Sequence, residues 1–334
     1  MAIALSRVGA VCFCVAVIGL TADERVARAD LVDFNLIVGG TLDSGAGVHG
    51  RTAVVGDITG QSADYAKSLM PPSAYSDVDT VVVGGSLMSG GLNVAAGDVR
   101  IGGTRGASTN LNLNGPGAQL FQNDPAALTT ANAAVASMRY ASSYFDGLVA
   151  DSAVTQNGST YTFTATPGAD GIAVFDLAAS VLSTQNLNMV LDVAGLPADT
   201  TFIINVVGEI AGNIMPTFQG AFVDPARRNY LLWNFHDQRD LGGDAIDLRF
   251  PIDREWHGSI LAPNADLELR SAVNGSVYVG GDLLQRGEVR LGYQGFVPVP
   301  VPEPSSLAML SLACLGLAGA RYRRRLAGSA RNAA

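Results

Sequence analysis

Val38-Gly39-Gly40-Thr41-Leu42 is a phrase the chain repeats, as Val55-Gly56-Asp57-Ile58, Val83-Gly84-Gly85-Ser86-Leu87, Ile101-Gly102-Gly103-Thr104 and Val279-Gly280-Gly281-Asp282-Leu283. Glycine permits corners and close approaches that a Cβ forbids. The phrase therefore reads as the end of a short strand, a tight corner and the start of another strand. Strands this short bury no face alone, but stacked on one another they share a continuous core, which points to a β-solenoid. The glycines at 40, 85 and 103 keep no fixed period. A regular hexapeptide or nonapeptide repeat is excluded, and an irregular β-helix is expected.

One segment departs from this pattern. Leu128, Ala131, Val135, Met138, Ala141, Phe145 and Leu148 fall at spacings of three and four, which predicts one long helix over about 125–146 with a single apolar stripe. Asp124 is placed to cap it, Pro125 to occupy its first position and Gly147 to end it. Alone in a β chain, such a helix should lie along the stack and cover one face. Further strands are expected at 160–166, 171–177, 189–193, 201–207, 230–234, 259–261 and 275–279, where β-prone residues are punctuated by Gly, Pro, Asn or Asp. No linker divides them into two domains.

The two ends of the chain read as addresses. Arg7 precedes an apolar stretch over 8–20, the length of a secretory signal core and too short to span a membrane. Ala27-Arg28-Ala29 offers small residues before a cut after Ala29; a cut after Ala22 competes, with Leu20 in the less suitable place. At the other end, Val301-Pro302-Glu303-Pro304-Ser305 is followed by an apolar run over 305–320 and a basic tail over 321–334 with Arg321, Arg323, Arg324 and Arg325. The prolines remove two donors and keep the backbone open to a processing enzyme. The apolar run is somewhat short of the ~20 residues of a spanning helix, and the arginines would stay on the cytoplasmic side, stopping export. This order of parts resembles the PEP-CTERM sorting signal of exported bacterial proteins. The resemblance implies brief anchoring in the inner membrane and cutting by an exosortase-type enzyme, in Gram-negative bacteria that make exopolysaccharide.

Between these ends the composition changes. Residues 30–302 keep 13 basic against 27 acidic residues, a net charge of −14, with a single lysine, Lys67. Nucleic acid and anionic membrane surfaces are unsuitable partners for such a surface. Cys12, Cys14 and Cys314 all lie in the targeting segments, so neither a disulfide nor a thiolate metal site is expected in the mature domain.

Leu232-Trp233-Asn234-Phe235, then Gly258-Ser259-Ile260-Leu261-Ala262-Pro263-Asn264-Ala265 and Val273-Asn274-Gly275-Ser276-Val277 resemble the choice-of-anchor A domain. Asn35-Leu36-Ile37-Val38-Gly39-Gly40 and Gly50-Arg51-Thr52-Ala53-Val54-Val55-Gly56 fit its N-terminal part, so the resemblance covers about 33–295. A helix set between β coils is also similar to the arrangement in ice-binding-like bacterial adhesins, which implies a right-handed β-helix with the helix alongside. The expected organisation is thus a signal peptide over 1–29, a mainly β solenoid domain over 30–296 and a sorting segment over 297–334, with a signal helix and a membrane helix at the two ends.

Candidate sites are few. Asp237, Asp240, Asp244 and Asp247 offer oxygen ligands that could hold Ca²⁺, although EF-hand spacing is absent and a solvated acidic loop is the competing reading. His49, His236 and His257 show no short spacing that would place two zinc ligands on one face. Asp253, Arg254 and Glu255, with Asp176 or Asp192 near in space, are the material for a polysaccharide-cleaving enzyme, yet runs of this kind are usually solvated turns. Thr41, Thr52, Thr59 and Thr104 are scattered, whereas an ice-binding face needs them arrayed. Trp233, Tyr161, Tyr230, Tyr278 and Tyr293 could stack on sugar rings but fit a strand core better. The expected function is a non-enzymatic surface or matrix protein that meets exopolysaccharide; a secreted carbohydrate-active enzyme or an ice-binding-like adhesin are the alternatives.

Overall fold

The computed structural model describes residues 31–208, 210, 213–238 and 250–295. The chain divides into two units, Met1–Phe296 and Val297–Ala334, and every described residue belongs to the first. The expected signal and membrane helices lie outside the described residues. Among those residues no helix is long and apolar enough to cross a membrane.

The chain first makes ten short strands: β1 Leu36–Val38, β2 Leu42–Ser44, β3 Thr52–Val54, β4 Ile58–Gly60, β5 Ala63–Tyr65, β6 Asp79–Val83, β7 Gly91–Val94, β8 Asp98–Ile101, β9 Asn110–Leu113 and β10 Leu120–Phe121. Helix α1, Pro125–Asp146, follows. The second half holds β11 Ala153–Asn157, β12 Thr160–Thr164, β13 Ile172–Ala178, β14 Asn188–Asp192, β15 Thr201–Val207, β16 Thr217–Gly220 and β17 Leu231–Asn234. It ends with β18 Phe250–Ile252, β19 Trp256–His257, β20 Ser259–Ala262, β21 Leu267–Leu269, β22 Val273–Asn274, β23 Val277–Val279 and β24 Leu283–Gln285.

These strands pair almost entirely in parallel. The longest ladder has ten strands in the order β10-β8-β6-β3-β1-β23-β20-β17-β15-β13, and a second runs β18-β21-β24-β2-β4. A third row joins β19-β22 to β5-β7-β9 through bridges of Val289 with Val273 and Val48, and the Val48 N–H bonds Asp64 O. Leu36 sits beside Thr52, Thr52 beside Val81 and Val81 beside Val99. The chain length between neighbours therefore differs from tier to tier, which is why no fixed period shows in the sequence.

The order of the long ladder explains the helix. The chain starts in the middle at β1, steps outward to β10, and must then reach the opposite end, where β13 begins the walk back to β23 beside β1. α1 is the return path. Its 22 residues span about 33 Å at 1.5 Å per residue. The eight ladder strands from β8 to β15 span about 34 Å at ~4.8 Å spacing, and α1 touches strands from β8 to β15. Asp124 caps it through the Ala126 N–H, with Pro125 next, and its buried face carries Ala127, Ala131, Ala134, Val135, Met138, Ala141 and Phe145. The expected bounds and stripe are observed, except that Leu128 is 43% exposed and Leu148 lies beyond the helix end, half-buried.

A buried polar cluster fixes the far end of α1 to the sheet. Asn234 Nδ2 donates to Ser142 O at 3.0 Å and Asn205 Oδ1 at 2.9 Å, Ser142 Oγ donates to Asn234 Oδ1 at 2.5 Å, and Asn205 Nδ2 donates to Phe145 O at 2.8 Å. Asn205 and Asn234 are register partners on β15 and β17, so one column of amides satisfies carbonyls near the helix terminus.

Two sequence expectations differ in detail. The strand expected over 275–279 is shorter, Val277–Val279, because Gly275 turns the corner between β22 and β23, where a Cβ would overlap the Gly258 carbonyl. The antiparallel hairpin β11–β12 was not anticipated; it turns at Gly158-Ser159, with Gly158 at φ +59°. Beneath it and its neighbours, Phe163, Phe175, Phe218, Phe222, Trp233 and Trp256 interlock, mostly edge to face.

Candidate functional site

The repeated glycine phrase forms a spine. Each copy turns from the long ladder to the second row, and the corners stack: a Cβ on Gly280 would overlap the Pro263 carbonyl, one on Gly39 the Gly280 carbonyl, and one on Gly102 the Gly84 carbonyl. The residue after each glycine pair binds the next tier. Asp282 N–H donates to Asp266 Oδ1 at 2.6 Å, Thr41 N–H to Asp282 Oδ1 at 2.7 Å, Ser86 N–H to Asp57 Oδ1 at 2.6 Å and Thr104 N–H to Ser86 Oγ at 3.2 Å. This row was legible: the place holds Thr41, Asp57, Ser86, Thr104 and Asp282, each a short side chain ending in oxygen.

Beside the spine lie two broad polar faces. On the second row the outward residues Glu268, Leu284, Asp43 and Thr59 are neighbours, with Arg270 paired to Glu268 and Arg286 to Asp43. On the third, Asn112 Nδ2 donates to Asn93 Oδ1 at 2.6 Å and Asn93 Nδ2 to Asp64 Oδ1 at 2.9 Å, an amide ladder in strict register. It runs into a charged network across the junction of the two halves. Lys67 Nζ lies 2.5 Å from Glu288, Arg290 3.6 Å from Glu288 and 2.8 Å from Glu255, and Asn274 Nδ2 donates to Glu255 at 2.9 Å. The Lys67 bond holds the Glu288 carboxyl below its usual range, and the Asn274 bond does the same for Glu255, aided by Arg290. Burial, with Lys67 nearby, lowers His49, and burial lowers His257.

This geometry does not suit acid–base catalysis. Asp253 is bound by Arg270 at 2.9 Å and by Asn213 at 2.7 Å, Glu255 by Arg290 and Asn274, and Arg254 by the Thr217 hydroxyl. Glu255, kept ionised by such partners, is a poor proton donor. Asp176 and Asp192 lie on β13 and β14, in different sheets. Two grooves of about 380 and 440 Å³ hold carboxylates of Asp151, Asp170 and Asp199 but no histidine or basic residue in their linings.

The other candidate residues separate. Asp237 accepts the Gly208 N–H at 3.1 Å, whereas Asp240, Asp244 and Asp247 lie outside the described residues. Among the described residues no cluster of His, Cys, Asp or Glu suits a metal. His236 Nδ1 lies 3.1 Å from Ser142 Oγ and His49 Nδ1 2.8 Å from Ser68 Oγ, on different elements. Trp233, Tyr278 and Tyr293 are buried, and Tyr161 and Tyr230 half-buried. Thr52 is buried in the long ladder, Thr59 lies on the second row, and Thr41 and Thr104 belong to the spine. Ala29, the sorting motif Val301 to Ser305 and Arg321, Arg323, Arg324 and Arg325 lie outside the described residues.

A stack of parallel strands with polar faces and paired carboxylates is the frame of a structural protein. The comparisons identify its class: residues 27–291 match the ice-binding-like adhesive domain, and the chain belongs to that family. Residues 300–325 match the PEP-CTERM protein-sorting motif. The chain is accordingly a non-catalytic structural protein of adhesin type, sorted to the cell surface. No curated protein matches it. Among solved structures it is similar to the ice-binding protein of the Antarctic ascomycete Antarctomyces psychrotrophicus, at 16% identity and a TM-score of 0.41, over 80% of this chain and 97% of that one.

Proposed function

We propose that the chain is an exopolysaccharide-associated adhesion protein of the bacterial surface or matrix, whose tiers form an irregular right-handed β-solenoid of choice-of-anchor A type. In this reading the signal peptide over 1–29 is removed after Ala29 and the domain over 30–296 passes through the secretion translocon. The segment over 297–334 holds it briefly in the inner membrane, and an exosortase-type enzyme cuts near Pro302-Glu303-Pro304. The observation that carries the reading is the tandem of an adhesive domain over 27–291 and a sorting motif over 300–325.

The polar faces suit a hydroxyl-rich polymer, because amide ladders and paired charges offer donors and acceptors along their length. The test is to incubate the exported protein with the host's own exopolysaccharide and follow both cosedimentation and polymer chain length. Binding with unchanged chain length is expected; no binding, or shortening that Asp253→Asn abolishes, contradicts the proposal. A chelator arm tests Asp237, Asp240, Asp244 and Asp247 as a Ca²⁺ site: binding lost on chelation supports that site, and unchanged binding removes it.

A further inference from the structure

The two ends of the long ladder are finished differently. At the β13 end, the Asp151 and Ser152 N–H groups bond Val174 O, Asp151 Oδ1 accepts the Val174 N–H at 2.8 Å, and the antiparallel hairpin β11–β12 lies alongside. At the other end β9 and β10 are the last strands of their rows. Leu111, Leu113 and Leu120 project in register with Leu92, Val94 and Val99. Those partners are 0–1% exposed, yet one tier further out the three leucines are only half-buried, because no described strand stacks beyond them. Among the described residues, the hydrophobic column of the core stops here without a covering strand.

Natural sheets protect such an edge with charge, usually lysine, or with proline in the strand. Strands β9 and β10 have neither. Residues 106–123 contain no charged side chain, and Pro116 lies in the turn between β9 and β10. The exposed rim is made of amides, Asn110, Asn112 and Asn114 among them. In a mature chain of net charge −14, this end, whose second row closes on exposed Arg105 and whose other two strands are uncharged, is where two copies meet without carboxylate repulsion. The opposite end carries exposed Asp151, Asp170, Asp176, Asp192 and Asp199, which repel a second such end and sit over a finished edge.

We infer that the β9–β10 end docks on the same end of a second copy, giving a two-fold dimer in which the leucines of each copy cover the open core of the other. An isologous contact closes on itself and uses the same end twice, with an apolar centre and a polar rim as in stable interfaces. This inference is independent of the polysaccharide reading and does not require it.

Sedimentation velocity of the exported, purified product of the full chain tests it. Twice the protomer mass is expected at concentrations up to about 100 μM. Asn110→Asp with Asn114→Asp keeps the side-chain shapes and places four carboxylates across the interface. It should return the protomer mass at an unchanged unfolding temperature, and the dimer should return at ~1 M salt, where charges are screened within about 3 Å. Thr155→Asp on the capped end should leave the dimer intact. A wild type that stays at protomer mass throughout, a double variant that still dimerises at low salt, or a dimer lost through Thr155→Asp overturns the inference.

Discussion

At position 280 the backbone of one tier lies directly on the carbonyl of Pro263, so any side chain must push two tiers apart. Gly280→Ala should destabilise the domain by about 3 kcal/mol. Gly195 has φ +77° with nothing near its missing Cβ, so Gly195→Ala should cost only the left-handed strain, about 1 kcal/mol. Denaturant unfolding of the two variants checks this; equal costs would show that the corners do not stack as described. Titration acts at the same scale. His49 and His257 titrate below their ordinary value in the folded chain because of burial. A depressed folded value contributes stability that is complete above the unfolded value, about 6.5, and is lost as pH falls through the folded one. Glu288 and Glu255, lowered by Lys67 and Asn274, add a second loss with the same sign at more acidic pH. The unfolding temperature should therefore decline in two stages below about pH 6.5, and His49→Gln with His257→Gln should flatten the first. A temperature constant down to pH 4 in the wild type would contradict this.

Elements were legible where local chemistry decides them. α1 carries a cap, a proline and an apolar stripe within 22 residues, and most strands of the second half lie where β-prone runs meet glycine or asparagine. The β11–β12 hairpin carried its own signal in Gly158-Ser159, a glycine-first two-residue loop flanked by strand residues. What the sequence does not display is the partner of an element. Ser142, Asn205 and Asn234 are unremarkable polar residues along the chain, and they become one cluster only because β15 and β17 lie side by side under the helix. Asn234→Ala leaves Ser142 O and Asn205 Oδ1 without their buried donor and should cost about 2–3 kcal/mol. It should also raise hydrogen exchange in the last turns of α1 before it affects β1 or β3. Uniform loosening of all elements would argue that the amides do not hold the helix end.

At the scale of the molecule, two glycine phrases 241 residues apart, joined by the bond from Thr41 to Asp282, lie in adjacent tiers. Repeats suggested stacking but not its order, since each copy of the phrase fits any other. The order comes from α1, which carries the chain from one end of the stack to the other. The destination of the molecule was legible for the opposite reason: a sorting motif is read along the chain by a processing enzyme, so its parts stand in sequence order. The most direct measurement of the account follows from it. The full chain and a variant with Pro302→Ala, Glu303→Ala and Pro304→Ala are expressed in an exosortase-bearing host, and intact mass and cell fraction are compared. The account predicts a wild type shortened at both ends and found outside the inner membrane, and a variant that keeps its C-terminal segment and stays in the membrane fraction. A variant with the same mass and location as the wild type would contradict it.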